Sequence, residues 1–302
     1  VSYNGQVTPA PPPLPPGRTL ALPGRGTTFV RDLAGPTPDA PTVFLLHGLG
    51  ATADVNWFPS YFPLARHFRV VAMDHRGHGR GIRSWRPFRL EDCADDVAAV
   101  ADALGLDRAV LVGYSMGGPI AQLTWRRHRD LVAGLVLCAT ARSFASRDPR
   151  QRLLMSSLVG LSVAARITPA GVRSRVTENL IASRVQGRPQ AEWAAEEFRR
   201  GDTSTILQAA SAIGRYRATP WIGEVDVPTA VVVTERDTLI APVRQHRLAE
   251  SIPGAVTYSV DGDHAACVMA ARRFVPVLVE ACANVVSRSQ SRNQQEPSSP
   301  RR

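Results

Sequence analysis

The sequence has no lysine. All 36 side chains counted as lysine or arginine are arginine, set against 26 acidic residues in a chain of 302, for a formal charge of +10. Nucleic-acid binding is the obvious reading of that excess. The arginines, however, are spread along the whole chain, and no nucleic-acid-binding motif accompanies them. Net charge of this kind speaks to loose association with anionic surfaces and to solubility, not to fold or chemistry. No specific nucleic-acid partner is therefore expected. The chain also lacks any run approaching the ~18 consecutive apolar residues of a membrane helix. It lacks a basic start followed by an apolar stretch, so no secretory signal is read and a cytoplasmic location is expected. The four cysteines, Cys93, Cys138, Cys267 and Cys282, form no C-x-x-C pair. That argues against metal and redox motifs and for reduced, mostly buried thiols.

What is present has a clear rhythm. Residues 1–17 are proline-rich and are read as an extended or mobile segment. Two short strands are expected at 18–22 and 27–32. Apolar strand-like runs follow at 42–46, 70–73, 109–112, 135–138 and 229–233, and a last strand is read at 256–260, alternating with helix-patterned stretches at 90–104, 242–251 and 265–286. Strands apolar on both faces belong in the middle of a sheet covered by helices on both sides. The fold class is therefore α/β, a mostly parallel doubly wound sheet. Between 142 and 216 the strand rhythm stops. Helical segments at 151–167, 171–185, 191–200 and 203–216 suggest a cap inserted into a core made of residues 18–141 and 217–286. Residues 287–302, rich in Ser, Arg, Gln and Pro, are read as a disordered tail.

The polar residues of interest gather at one edge. His47, Asp74, Ser115, Asp237 and His264 all follow the carboxyl ends of predicted strands, where open α/β sheets bind ligands. The most informative stretch is Gly113-Tyr114-Ser115-Met116-Gly117-Gly118, between a strand and a helix. It spells G-x-S-x-G, the turn that lifts a serine to the apex of a tight strand-to-helix corner. The small neighbours let strand and helix approach, and the helix N-terminus favours negative charge beside the serine. Serine needs a base to remove its proton, and the base needs a third group to orient it. After Ser115, an acid is offered by Thr234-Glu235-Arg236-Asp237 and a base by Asp261-Gly262-Asp263-His264. Asp263 is placed to cap the helix that starts there.

Together, H-G-x-G at 47–50, D-x-R-G-x-G at 74–79, G-Y-S-M-G-G, the late acid and G-D-H make the chain resemble the α/β-hydrolase superfamily, of the capped serine esterase and lipase type. The resemblance spans about residues 18–286. It implies Ser115 as nucleophile, Asp237 as acid in preference to Glu235, and His264 as base. An oxyanion hole needs two backbone donors. One is the N–H of Met116, next to the nucleophile, and the family pattern points to Leu49 for the other. The chain departs from the family at Thr234, where glycine is usual three residues before the acid. His47 is expected to brace its loop, and Asp74, Arg76 and His78 to build theirs. No metal and no cofactor is implied.

Substrate choice is assigned to the cap. Trp57, Tyr114 and Leu158 are named as pocket candidates, and Phe58, Tyr61 and Trp85 as further wall candidates by position. The expected activity is hydrolysis of a small-molecule carboxylic ester through an acyl-enzyme, in the carboxylesterase or lipase class. C–C, thioester and lactone hydrolysis, acyl transfer and cofactor-free perhydrolysis use the same triad and stay open. A hydrolase scaffold that only holds a ligand is the alternative from another class, and the three filled triad positions argue against it. Oligomeric state is not legible.

Overall fold

The structure, a computed structural model, describes residues 11–144 and 190–295. Its centre is an eight-stranded sheet in the order β1-β2-β4-β3-β5-β6-β7-β8. The strands are β1 (Gly17–Leu22), β2 (Gly26–Leu33), β3 (Thr42–Leu46), β4 (Arg69–Met73), β5 (Ala109–Tyr114), β6 (Val132–Cys138), β7 (Thr229–Thr234) and β8 (Val256–Val260). β1 and β2 join at one edge in antiparallel fashion. From β4 to β8 every neighbouring pair is parallel. Strand order reverses direction around β3 and β5, which is where the loops carrying His47 and Ser115 emerge side by side.

The apolar runs fill both faces because strand side chains alternate. In β3, Phe44 and Leu46 enter the layer holding Leu111, Val231 and Val233. Val43 and Leu45 point the other way, into the layer holding Val110, Val112 and Val232. The first layer is covered by α3 (Leu90–Ala103), α4 (Gly117–Arg127), α6 (Thr203–Arg215) and α7 (Pro242–Ser251). The second is covered by α1 (Ala53–Trp57), α2 (Tyr61–Ala65), α8 (Ala266–Met269) and α9 (Ala271–Gln295). α5 (Ala191–Arg199) precedes α6 between β6 and β7 in the chain. All four cysteines are free and buried.

Both ends of the fold differ from expectation, and two helices are additional. The final helix is split at Ala270 and continues through Gln295, so residues 287–295 are helical and not a disordered tail. Arg288 donates to the Gly254 carbonyl at 2.7 Å and Arg292 to the Asp226 carbonyl, which anchors this extension on the sheet edge. The described end of the proline-rich segment is packed: Pro12 and Pro15 are buried, and the Pro15 carbonyl accepts from Arg31. α1 and α2 were not anticipated. They are five residues each and too short to show a periodic face. The expected cap helices at 151–167 and 171–185, with Leu158, lie outside the described residues, as do residues 1–10 and 296–302.

Candidate active site

Ser115 follows β5 on a turn with φ +51°, a backbone region that non-glycine residues rarely occupy. The chain around it explains how the turn is tolerated. A Cβ on Gly113 would lie 2.3 Å from the Gly117 carbonyl oxygen, and one on Gly117 would lie 2.1 Å from that of Leu46. Only glycine lets β5, α4 and the end of β3 meet so closely. The turn is then tied down by its backbone: Ser115 N–H donates to Cys138 O at 3.0 Å, and Thr140 Oγ1 donates to Ser115 O at 2.8 Å. Strain of this kind persists only where the surroundings over-determine it.

Ser115 Oγ lies 2.9 Å from His264 Nε2, and His264 Nδ1 lies 2.7 Å from Asp237 Oδ2. Three loops, after β5, β7 and β8, thus bring serine, imidazole and carboxylate into one hydrogen-bonded line. Glu235 is not part of it; its exposed carboxylate accepts from Ser259 Oγ at 2.5 Å and lies 3.6 Å from His246. Asp237 is buried, and its other oxygen accepts from the N–H groups of Leu239 and Ile240 at 2.9 and 2.8 Å. Burial pushes the Asp237 carboxyl up, but the hydrogen bonds from His264, Ile240 and Thr234 outweigh it and hold the group below the ordinary carboxylate value. It is therefore ionised at neutral pH and accepts from His264 Nδ1–H, an arrangement that turns Nε2 toward Ser115 Oγ. Asp263 Oδ1 accepts from Ala265 N–H at 2.9 Å and shapes the turn into α8. Asp261 pairs instead with Arg236 at 2.7 Å.

The loop after β3 runs beside the serine. A Cβ on Gly48 would be 3.4 Å from that of Ser115. His47 Nδ1 donates to Gly48 O at 2.8 Å, and Asn56 Oδ1 accepts from Gly48 N–H at 3.0 Å. His47 Nε2 in turn accepts from His75 N–H at 2.9 Å. Complete burial pushes the His47 imidazole down to about 4, so it is a neutral brace between two loops. Leu49 is 37 % exposed beside this brace, and Met116 is buried at the start of α4. Asp74 accepts from Ala53 and Arg80 N–H groups at 2.8 Å each, and Arg76 grips Asp96 at 2.6 and 2.7 Å. Both side chains serve loop architecture.

The pocket candidates fare differently. Trp57 and Tyr114 are buried in the second core layer, edge to face at 5.9 Å. The Tyr114 hydroxyl is committed to the His264 carbonyl at 2.9 Å. Both support the site from beneath instead of walling a pocket. Tyr61 is likewise buried, its hydroxyl on Asp54 at 3.2 Å. Phe58 packs on Trp193 of α5 at 5.5 Å, and Trp85 is 91 % exposed. Gln245, which no sequence motif marks, reaches toward Asp237 from α7.

A family model described as alpha/beta hydrolase fold matches residues 41–269. The chain belongs to the α/β-hydrolases. Among relatives of this α/β-hydrolase is a protein of Agrobacterium fabrum named for carbamate hydrolysis, RutD, 32 % identical over 237 residues, covering 75 % of this chain and 87 % of that one. A bifunctional esterase/perhydrolase of Acinetobacter calcoaceticus is 44 % identical over 100 residues, 33 % of this chain and 36 % of its own. The fold is shared with an enol-lactonase from Burkholderia xenovorans, with TM-score 0.73, 24 % identity and coverage of 88 % of this chain and 100 % of that one. It is also shared with a Thermogutta terrifontis esterase at TM-score 0.73, 23 % identity, and 89 % and 99 % coverage.

Proposed function

We propose that this α/β-hydrolase is a serine hydrolase that cleaves a small-molecule carboxylic ester or closely related acyl bond. The observation that carries the proposal is the unbroken hydrogen-bonded line Ser115–His264–Asp237, with links of 2.9 and 2.7 Å. Ser115 Oγ attacks the carbonyl carbon as His264 Nε2 takes its proton. The oxyanion that forms is held by the N–H groups of Met116 and Leu49, reinforced by the N-terminus of α4. His264 then gives its proton to the leaving alcohol, and an acyl group remains on Ser115. Water, deprotonated by the same imidazole, attacks that acyl-enzyme and releases the acid. Asp237 stabilises the imidazolium in both halves.

Carbamate hydrolysis is a second reading, favoured by the RutD relative, which this chain matches over most of its length. The attacked carbonyl then carries nitrogen in place of carbon, and the same three residues act in the same order. Chain-length-graded p-nitrophenyl esters and simple carbamates separate the two, with a fluorophosphonate probe reporting on the serine itself. Ser115→Ala and His264→Ala should each lose roughly 10⁴- to 10⁶-fold in kcat and abolish labelling. Correctly folded wild-type protein that neither labels nor turns over any of these compounds would sink the proposal and leave a ligand-holding scaffold in its place.

A further inference from the structure

We infer that the buried pair Thr234 and Gln245 sets the orientation and acceptor strength of the Asp237 carboxylate, as positioning residues for the triad. The inference rests on the triad reading above. Thr234 ends β7 and Gln245 lies on α7, and both side chains are completely buried. Thr234 Oγ1 donates to Asp237 Oδ2 at 2.9 Å, and Gln245 Nε2 approaches the same oxygen at 3.3 Å. That oxygen is the one that receives the His264 Nδ1–H.

The orientation of the Gln245 amide follows from backbone groups whose roles are fixed. Its Oε1 accepts from Thr234 N–H at 3.1 Å, and its Nε2 donates to Ile240 O at 2.7 Å. A flipped amide would set donor against donor and acceptor against acceptor. With the amide so fixed, Nε2 also donates to Thr234 Oγ1 at 2.9 Å. The threonine oxygen is thereby polarised, and its single proton is directed at the carboxylate.

Two consequences follow for the base. The carboxylate is held against rotation, because Leu239 and Ile240 donate to one oxygen while Thr234, itself held by Gln245, donates to the other. Oδ2 also shares its electron density among several donors, so it pulls less strongly on the imidazole proton than a carboxylate bonded to His264 alone. Other charged groups around the pair are engaged elsewhere. Glu235 is beside His246, Arg236 and Arg273 meet Asp261, Asp263 accepts from Ala265, and Arg244 donates to Ser143 O. Tyr114 donates its hydroxyl to the His264 carbonyl, and its uncharged ring lies tilted against the imidazole with centroids 6.0 Å apart.

The test is the second-order rate of fluorophosphonate labelling, measured across pH for wild type, Thr234→Val, Thr234→Ala and Thr234→Ser, with melting temperatures alongside. Valine keeps the shape without the hydroxyl, and alanine removes any crowding by the added methyl. In both variants labelling should slow about tenfold, the worth of a hydrogen bond to an ionised group. The acid limb of the profile should move to higher pH by about half a unit, because Oδ2 freed of one donor favours the imidazolium more. Serine should restore rate and limb together. Folded valine and alanine variants that label at the wild-type rate with an unmoved limb overturn the inference and leave the triad intact. A slower rate with an unmoved limb, not restored by serine, overturns it in favour of packing alone. Wild type that fails to label overturns the triad and this inference with it.

Discussion

At Gly113, Ser115 and Gly117 the fold and the chemistry depend on single atoms. The strained serine sits half-buried at the corner because neither glycine has a side chain, and the distances a Cβ would take show how little room remains. Gly117→Ala places a methyl 2.1 Å from the Leu46 carbonyl oxygen, so the end of β3 and the loop at Gly48 must shift. We expect a loss of about 1–3 kcal/mol, from overpacking. Labelling by the probe should fall roughly 10²-fold, since the displaced loop is the one beside the serine. Gly105→Ala is the control: its φ is +62° with nothing within 4 Å of a Cβ, so it carries backbone strain alone. Melting curves and labelling rates for the two variants check this; equal activity in both would remove the steric account of the turn. Ser115 and His264 were legible in the sequence because glycines and the G-D-H triplet spell their surroundings. Thr234 was visible only as a departure from a pattern. Gln245 was invisible, because it meets Thr234, Asp237 and the Ile240 carbonyl only when α7 folds back on the end of β7, which leaves no mark on spacing.

Among elements, the central strands were legible because β3 to β7 are apolar on both faces, while β1, β2 and β8 at the sheet's margins are partly exposed and showed only as short strand-like stretches. What escaped was held by polar contacts. α1 is buried along its whole length, yet its most consequential contact is ionic. Asp54 accepts from Arg31 of β2 at 2.6 and 2.7 Å and from Arg80 at 2.7 Å, joining α1 to the sheet edge and to the loop after β4. Hydropathy carries no record of such a tie, and the extension of α9 was missed for the same reason. Burial pushes the Asp54 carboxyl up, but Arg31 and then Arg80 outweigh it and hold the group below its ordinary 3.8. The folded state therefore binds this proton less readily than the unfolded chain. The stability it contributes is complete above the ordinary carboxylate range and is lost as pH falls through the lower folded value. Asp54→Asn leaves two guanidinium groups facing a neutral amide in the interior and should cost about 3–5 kcal/mol at pH 7, less at pH 3. Thermal unfolding across that range reads both the size and the slope. A variant as stable as wild type at pH 7 would show the tie to be dispensable.

On the scale of the whole molecule, buried acids of opposite character share one neighbourhood and link the sheet to the segment between β6 and β7. Glu197 of α5 is buried, accepts from Thr52 Oγ1 at 3.3 Å, and meets Arg200 at 3.1 Å and Arg80 at 3.6 Å. Thr52 caps α1 and follows the loop that bears Gly48, so this contact joins α5 to the loop beside the serine. Arg83 donating to Arg200 O at 2.6 Å and Asp202 N–H donating to Gly77 O at 2.8 Å tie the same two regions. Unlike Asp54, Glu197 is governed by burial, which Arg80 and Arg200 do not offset, and its carboxyl is pushed above 4.5. The sign of its pH dependence is therefore reversed: its contribution is complete below pH 4.5 and is lost as pH rises through the higher folded value. At neutral pH the ionised group is a net burden on the fold. Glu197→Gln keeps an acceptor for Thr52 and leaves no arginine stranded, because Arg80 retains Asp54 at 2.7 Å and the Arg200 side chain is 41 % exposed. It should therefore be neutral or stabilising by up to about 1 kcal/mol at pH 7, with that gain shrinking toward pH 4. The same thermal unfolding series, run on both carboxamide variants, places the two predictions side by side. Destabilisation of Glu197→Gln comparable to that of Asp54→Asn would mean that the charge at Glu197 holds α5 to the sheet, and that burial does not dominate at this position.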